Sequence, residues 1–329
     1  MKKVILLSAA IFSMLLLASC TAVQVNERMF VALMGIEEDD GLYYLTVQTF
    51  SSTDTNSDAP VPEYRVYSGT GRSFYEAADM IMRRSGRELF FGHCGAIYAD
   101  DDIIRDKQKL KMLAGERISP GCPVIYSEKP GAEAERKDEN DELVGSDVII
   151  SEFDRYAAEG LYSRATLRDV ISADSAGGIV ILPLSDEKIA GTAVVNSSGE
   201  TVLLNLYETA ALNLLRGEKG VRMSVLGGSL SAQVNDKSIY FRQGEKSGDF
   251  NISIKAEGVL DELGNSDSLN DYKMEAEKII SGSAEEICRK AREEGFLQAL
   301  FPREYSSVEN YEDISFSVET ELTLTSDIR

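Results

Sequence analysis

Residues 29–50 have the sequence MFVALMGIEEDDGLYYLTVQTF, and this stretch decides the fold class. The apolar run over residues 29–36 predicts a strand, the acidic run Glu37–Gly41 predicts a turn, and residues 42–50 predict a returning strand. Strand and helix signals follow one another along the rest of the chain without the regular alternation of a doubly wound fold. We therefore predict a multi-domain α+β protein with mixed or antiparallel sheets and packed helices.

Helix signals are strongest where capping residues accompany the apolar period. Ser73 and Glu76 have the spacing of a capping box, and the residues after them predict a helix that ends near Gly86. The remaining predicted helices cover residues 102–113, 148–161, 166–171, 207–216 and 269–294. The predicted strands lie within residues 88–99, 122–126, 177–183, 188–195, 200–204, 221–255 and 314–325.

The first twenty residues predict an export signal that ends in a lipid-attachment site. Lys2 and Lys3 precede an apolar run over residues 4–17, and two small residues then lead to Cys20. The order resembles the lipobox of bacterial lipoproteins, in which the cysteine receives a diacylglycerol and the peptide before it is removed. An ordinary signal peptide is the alternative, and the run is too short for a transmembrane helix. We predict a signal peptide over residues 1–19, lipid attachment at Cys20, and a membrane-anchored chain on the extracytoplasmic face.

Chain length predicts two domains after the signal peptide. We place an N-terminal α+β domain over residues 20–187 and a C-terminal α+β domain, which could be subdivided further, over residues 188–329. Residues 128–142 are dense in charge and nearly free of apolar side chains. We therefore predict an exposed charged loop over this segment.

The formal net charge of −21 limits the partners of the chain. Such a chain is repelled by nucleic-acid backbones and gains no attraction from anionic lipid headgroups, so its surface should be solvated and not pressed onto lipid. We therefore predict no nucleic-acid partner. Attachment to a membrane then rests on the lipid anchor or on protein partners.

Candidate catalytic residues are few. His93 is the sole histidine, and its apolar, glycine-flanked setting favours a structural role over that of a general base toward Cys94 or Cys122. Adjacent side chains of a strand point to opposite faces, so His93 and Cys94 should not face each other. Nucleotide-binding and nucleophile-elbow motifs are absent from the sequence. We predict no catalytic residue, no cofactor and no enzymatic activity.

Metal and disulfide chemistry also have weak signals. The cysteines after Cys20 are Cys94, Cys122 and Cys288, and they lack the spacing of a zinc site. We predict that Cys94 and Cys122 are buried thiols, with one disulfide between them as the alternative. The acidic runs 37–40 and 100–102 lack the pattern of an EF-hand loop, so solvated turns are favoured over calcium sites.

The order of the segments resembles the Ger(x)C family, the lipoprotein C subunits of spore germinant receptors. The resemblance starts with the hairpin strands, Val31–Ile36 and Tyr44–Gln48. It continues through Gly71–Ala77 and Arg84–His93, which are similar to the helix of the family and its strand ending in Phe-x-Gly-His. The second half contributes Gly191–Val195, Glu208–Gly217, Asn251–Glu262, a long helix and a final alternating strand. Thr21 stands where the family often has tryptophan, and residues 296–307 lack its usual signals in that region.

The resemblance implies a non-enzymatic subunit on the outer face of the inner spore membrane. Its partners would be an A subunit and a transporter-like B subunit, in a complex that responds to small nutrients. Cys20 is the one site residue that carries over, and direct binding of a small molecule by this subunit is left open. The alternatives are a lipid-anchored solute-binding protein of a transporter and an anchored hydrolase. The first alternative should show two doubly wound lobes, and the second a nucleophile motif.

Overall fold

Two β-sheets and the helices packed on them make up the fold. The computed structural model describes residues 27–52, 62–173, 178–186, 189–217, 220–243, 248–266, 268–301 and 314–326. The first sheet has nine strands and the second has four. The mixture of helices and mixed sheets confirms the predicted α+β class.

The large sheet begins with the hairpin predicted from residues 29–50. Its strands are β1 (Arg28–Asp39), β2 (Leu42–Ser52), β3 (Pro62–Gly71), β4 (Glu88–Phe90), β5 (Ala96–Ala99), β6 (Val124–Tyr126), β7 (Val180–Asp186), β8 (Ile189–Val195) and β9 (Thr201–Leu204). Their order is β3-β2-β1-β5-β6-β7-β8-β9, with β4 paired to β1. Asp40 and Gly41 form the turn between β1 and β2.

The direction of the strands gives the large sheet two distinct ends. Strands β1, β4, β5, β6 and β7 run parallel, and the remaining neighbours pair antiparallel. We call the end at which β1, β4 and β5 begin the amino end, and the end at which β1, β5, β6 and β7 finish the carboxyl end. The sheet is mixed, as predicted.

Helix α1 (Phe74–Ser85) packs on one face of the large sheet and begins where its capping residues predict. The Ser73 hydroxyl accepts a hydrogen bond from Glu76 N at 3.2 Å, and Gly86 ends the helix in the left-handed conformation at φ 69°. The Glu76 carboxylate accepts from Arg72 N at 2.8 Å, one residue before the N-cap. Both predicted ends of this helix are confirmed.

Three more helices cover the same core: α2 (Asp101–Arg105), α3 (Lys107–Gly115) and α6 (Leu167–Ser172). The single helix predicted over residues 102–113 is wrong, because the chain breaks at Asp106. That residue leaves the helical region at ψ 99° and accepts hydrogen bonds from Gln108 N and Lys109 N. Asp106 is therefore the N-cap of α3, and its non-helical backbone ends α2.

The opposite face carries α4 (Pro130–Ala134) and α5 (Ser146–Ala158). Helix α4 corrects the exposed loop predicted over residues 128–142, because Pro130, Glu133 and Ala134 are buried against the sheet. Proline suits the first turn of a helix, and a five-residue helix contributes too few apolar side chains to be seen above the surrounding charge. Most of residues 135–142 are exposed, and Lys137 pairs with Leu143 in an isolated bridge.

The second sheet contains β10 (Val221–Val225), β11 (Gly228–Gln243), β12 (Gly248–Glu262) and β13 (Ile314–Ser326), in that order. Helices α7 (Leu206–Arg216), α8 (Leu269–Glu293) and α9 (Leu297–Leu300) complete this part of the fold. The Asn205 N-cap and the left-handed Gly217 delimit α7 at the predicted position. Helix α8 is continuous through Ser281, Gly282 and Ser283.

Strand β13 lies at the edge of the second sheet, and α8 runs beside it. The Glu285 carboxylate accepts a hydrogen bond from Val318 N at 3.0 Å, and the Glu277 carboxylate accepts from Leu322 N at 2.8 Å. Eight helical residues rise about 12 Å, and four strand residues about 13 Å, so the two spacings match. Two acidic side chains thus satisfy edge donors that would otherwise face outward.

The two sheets share an apolar core. Buried hydrogen bonds around Asn213 also join the two parts of the fold. One cluster contains Val194 and Leu204 of the large sheet together with Ile252 and Val318 of the second. The hairpin of β7 and β8 also pairs residues on both sides of the predicted domain boundary at 187/188. The division into domains 20–187 and 188–329 stays a prediction.

Candidate functional site

Cys20, the predicted lipid-attachment residue, lies outside the described residues. The first described residues, Glu27 and Arg28, lead directly into β1 at the amino end of the large sheet. Among the described residues, no helix combines the length and apolar character needed to cross a bilayer.

A row of aromatic side chains lies across the amino end. Strand register places Phe30 opposite Phe50 on β2 and opposite Phe90 on β4. Both neighbours have ring centroids 5.7 Å from that of Phe30. The Arg28 guanidinium lies 5.3 Å from the centre of the Phe90 ring, within cation–π distance. Phe30, Phe50 and Phe90 are half-buried, so the row keeps part of its apolar surface exposed.

His93 belongs to this row and does not approach the thiols. Its ring centroid lies 5.6 Å from those of Phe30 and Phe90, and 6.4 Å from that of Phe50. His93 is exposed at the end of a short 3-10 helix, whereas the next residue, Cys94, is buried. The two side chains therefore point apart, as predicted. We call Phe30, Phe50, Phe90 and His93 the aromatic row.

Cys94 and Cys122 are neighbouring free thiols in the core of the large sheet. The Cys122 sulfur donates to the Cys94 carbonyl at 3.3 Å, and the Cys94 sulfur donates to the Ala96 carbonyl at 3.3 Å. The hydrogen bond with the Cys122 thiol, followed by burial, raises the pKa of Cys94. Burial also raises the pKa of Cys288, on α8. The thiolate is the reactive form, so Cys94 and Cys288 have the character of inert core residues.

The two acidic runs meet at the carboxyl end. Asp100 follows β5, and its carboxylate accepts a hydrogen bond from Glu38 N at 3.0 Å. The Lys109 ammonium lies 2.7 Å from the Glu38 carboxylate, and the Arg105 guanidinium lies 3.0 Å from Asp101. Within the described part of the chain, no three or more His, Cys, Asp and Glu side chains are grouped so as to hold a metal ion. The acidic runs are therefore held by cations and backbone donors of the protein.

Burial and the closeness of the carboxylates raise the pKa values of two acidic side chains at the carboxyl end. Burial, together with the negative charges of Asp100 and Asp39, raises the pKa of Glu37. Burial is the largest cause that raises the pKa of Asp100, although hydrogen bonds from Ile103 N and Glu38 N oppose it. The large sheet thus has an acidic carboxyl end and an aromatic amino end with arginines beside it.

A groove of about 440 Å³ lies between α7, α8 and β10. Its walls are mostly apolar and include Leu206, Leu214 and Ile279. The Arg222 guanidinium at the groove donates to the Ser229 hydroxyl at 2.9 Å and lies 3.8 Å from the Glu159 carboxylate. Because this cation is already paired, we assign no charged ligand to the groove.

Sequence reasoning placed the hairpin strands but missed the aromatic row. The spacing of Phe30 and Phe50 about the turn is a local signal that could have paired them. The position of Phe90 could not be derived in the same way, because β4 joins β1 in parallel after a connection through β2, β3 and α1. The meeting of the two acidic runs could not be derived for the same reason, because β5 also joins β1 in parallel after a long connection.

The family comparison decides the affiliation of the chain. The family model described as "Spore germination protein N-terminal domain" matches residues 21–186. The chain is a Ger(x)C-family spore germination protein. The resemblance found in the sequence is thereby confirmed.

Two further comparisons complete the description of this Ger(x)C-family protein. It is similar to the crystal structure of the GerBC protein at 14% sequence identity and a TM-score of 0.46, over 88% of this chain and 96% of that chain. No curated protein sequence matches it.

Proposed function

We propose that this protein is the lipid-anchored C subunit of a spore nutrient-germinant receptor. The observation that carries the proposal is the family match over residues 21–186, which begins directly after the lipobox-like cysteine, Cys20. In this proposal the lipid on Cys20 holds the chain on the outer face of the inner spore membrane. There it works in germination beside the A and B membrane subunits.

The subunit acts through contacts and not through catalysis. The sole histidine, His93, packs on phenylalanine rings, and the thiols Cys94, Cys122 and Cys288 are buried. The charged groups of the carboxyl end are engaged with one another and with Lys109 and Arg105. None of these groups offers an activated nucleophile next to a base, which covalent catalysis requires.

A transporter's solute-binding protein remains the alternative. Its usual architecture is two doubly wound lobes with a ligand between them, whereas the described residues of this chain form one mixed nine-stranded sheet and one four-stranded sheet. Tight binding of one solute by the purified chain would favour the alternative.

Three experiments test the proposal in a sporulating host. Deleting the gene should abolish or delay germination with at least one nutrient, and normal germination with every nutrient would contradict the proposal.

Replacing Cys20 by serine should remove lipid labelling and release the protein from the inner membrane fraction. Retention of Cys20→Ser in that fraction, or a wild type without lipid label, would count against the anchor. Affinity purification of the wild type should recover A- and B-type subunits.

A further inference from the structure

Within the described part of the chain, the aromatic row is only partly covered, because Phe30, Phe50 and Phe90 are half-buried. It lies on the same face as α4 and α5, and the start of α5 reaches its margin, where the hydroxyl of Tyr64, the register partner of Phe50 on β3, donates to the Asp147 carboxylate at 3.1 Å. Helix α4 contacts the sheet at Gly35, and the start of α5 lies over Gly95. On the opposite face, the aromatic side chains Phe74 and Phe91 are buried. The aromatic side chains of the row are thus partly exposed on this face, at the amino end, whereas Phe74 and Phe91 are buried on the opposite face.

Arginines lie beside the aromatic row, although the overall charge of the chain is −21. The described residues 27–30 and 83–93 contain four arginines and two glutamates: Arg28, Arg83, Arg84, Arg87, Glu27 and Glu88. Arg83 pairs with Asp79 at 2.6 Å, whereas Arg28 stacks on Phe90 and Arg87 is exposed. Four arginines stand against Glu27, Glu88 and Asp79, so the positive excess of these segments is small, while the whole chain is acidic. Averaging the charge over the sequence hides this segregation.

The position of the row relative to the anchor favours a membrane as its occupant. Eight residue steps separate Cys20 from Arg28, so the chain between them spans at most about 29 Å. A tether this short gives the row an effective concentration in the millimolar range at the bilayer surface. Aromatic and apolar side chains with arginines beside them suit the region between headgroups and acyl chains.

We propose that the aromatic row, with Arg28 and Arg87, is a membrane-contact surface that seats the anchored protein on an anionic bilayer. The acidic carboxyl end then points away from the lipid, where repulsion from the headgroups is smallest. This proposal rests on the lipid anchor of the proposed function. It adds an orientation, because a lipid on Cys20 alone leaves the protein free to tumble about its tether.

The test supplies the anchor artificially, so that it does not depend on lipidation in the cell. The chain from Cys20 to Arg329 is coupled through its Cys20 thiol to a maleimide lipid in phosphatidylcholine vesicles, with or without phosphatidylglycerol. Cys94, Cys122 and Cys288 are buried, so one thiol per chain should react. The sequence contains no tryptophan, so a single introduced tryptophan reports its own surroundings.

Phe90→Trp places the reporter in the aromatic row, and Tyr207→Trp places a control on α7, where Tyr207 is 71% exposed. With phosphatidylglycerol vesicles, brominated lipids should quench and blue-shift the emission of Phe90→Trp and leave Tyr207→Trp unchanged. Phe50→Trp is a second reporter if Phe90→Trp does not fold. Absence of quenching at both row positions, or equal quenching at Tyr207→Trp, would overturn the proposal.

Charge variants test the role of the arginines. Without the tether, Arg87→Gln should lower partitioning onto phosphatidylglycerol vesicles about fivefold, and Arg28→Gln should do the same. Arg289→Gln, which removes the same charge from α8, should have no such effect. Equal losses in all three variants would overturn the proposal. If the row is instead protected by co-purified A or B subunits while vesicles leave Phe90→Trp unquenched, the surface is a protein interface and the membrane assignment is wrong.

Separate outcomes distinguish this proposal from the proposed function. Failure of natural lipidation at Cys20 would remove the anchor but would leave the tethered-vesicle result intact. Quenching at the row without a germination defect on gene deletion would support the surface and contradict the receptor assignment.

Discussion

At the scale of single residues, Asn213 joins the two halves of the molecule. Its side-chain amide donates to the carbonyls of Gly160 and Tyr162 at 2.9 and 3.1 Å, and its oxygen accepts from the Ser163 hydroxyl at 2.9 Å. The Thr192 hydroxyl on β8 donates in turn to Ser163 at 3.2 Å. Asn213 is only 1% exposed, so water cannot replace these partners.

Asn213→Ala should therefore lower the free energy of unfolding by about 3 kcal/mol, because it leaves buried carbonyls without donors. Urea denaturation followed by circular dichroism measures the change. Asn251→Ala, at an exposed position of β12, is the matched control and should change stability by less than about 1 kcal/mol. Equal effects of the two substitutions would show that the buried network contributes nothing.

Gly35 shows how closely α4 approaches the sheet. A Cβ atom at this position would lie 2.1 Å from the Pro130 carbonyl oxygen and 2.5 Å from its carbon. Backbone cannot move away as a flexible side chain can, so Gly35→Ala should destabilise the protein by about 3 kcal/mol.

Gly282→Ala is the opposite case and serves as the control for Gly35→Ala. Gly282 lies in the interior of α8, and a Cβ atom there would meet no atom within 4 Å. Because alanine favours a helix over glycine, Gly282→Ala should stabilise the protein by about 1 kcal/mol. Thermal unfolding of both variants checks the pair, and a gain from Gly35→Ala would contradict the close approach of α4.

At the scale of elements, the contact between α8 and β13 protects an open sheet edge. Unpaired edge donors are a template for pairing with another chain, and natural proteins often cover them. Here the cover consists of the carboxylates of Glu277 and Glu285, with Ser281 donating to the Thr320 hydroxyl at 2.9 Å between them.

A Glu277→Ala/Glu285→Ala double variant should lose about 2 kcal/mol of stability and associate more strongly with itself than the wild type does. Sedimentation velocity over a range of concentrations measures the association. Glu275→Ala/Glu286→Ala removes the same charge from α8 without touching the edge donors. If both double variants associate equally, lost charge and not the uncovered edge is the cause.

Elements with strong local signals could be predicted from the sequence. The hairpin of β1 and β2, the capped helices α1 and α7, and the alternating strand β13 agree with the structure because their signals lie within a few residues. Helix α4 was missed because it is short and lies among charges. The pairing of β1 with β4 and β5 was missed because long connections separate these strands in the sequence. The aromatic row was missed for the same reason, because Phe90 lies on β4.

At the scale of the whole molecule, charge is segregated along the strands of the large sheet. The raised pKa values of Glu37 and Asp100 mean that the folded chain binds protons more readily than the unfolded chain at these sites. Stability from these groups is fully present below the ordinary values of 4.5 and 3.8 and is lost as the pH rises through the folded pKa values.

We therefore expect the melting temperature to rise as the pH is lowered from neutral toward 4.5, the ordinary pKa of Glu37. In Glu37→Gln this rise should be smaller, because the side chain no longer titrates. Glu286→Gln, at an exposed position of α8, should keep the slope of the wild type. An unchanged slope in Glu37→Gln would mean that the crowding of carboxylates at the carboxyl end has no energetic consequence.

The pairing of β12 with β13 also sets an order of events during synthesis. The two strands pair in parallel along the whole of β13, from Gly248 and Ile314 to Leu260 and Ser326, with α8 between them in the chain. A nascent chain is made from its N-terminus onward, so β12 is made well before its partner β13. Until β13 arrives, the core around Leu230 and Ala256 lacks Leu322, and proteases can reach it. The time that β13 takes to arrive thus decides how long a newly made chain stays vulnerable to proteolysis.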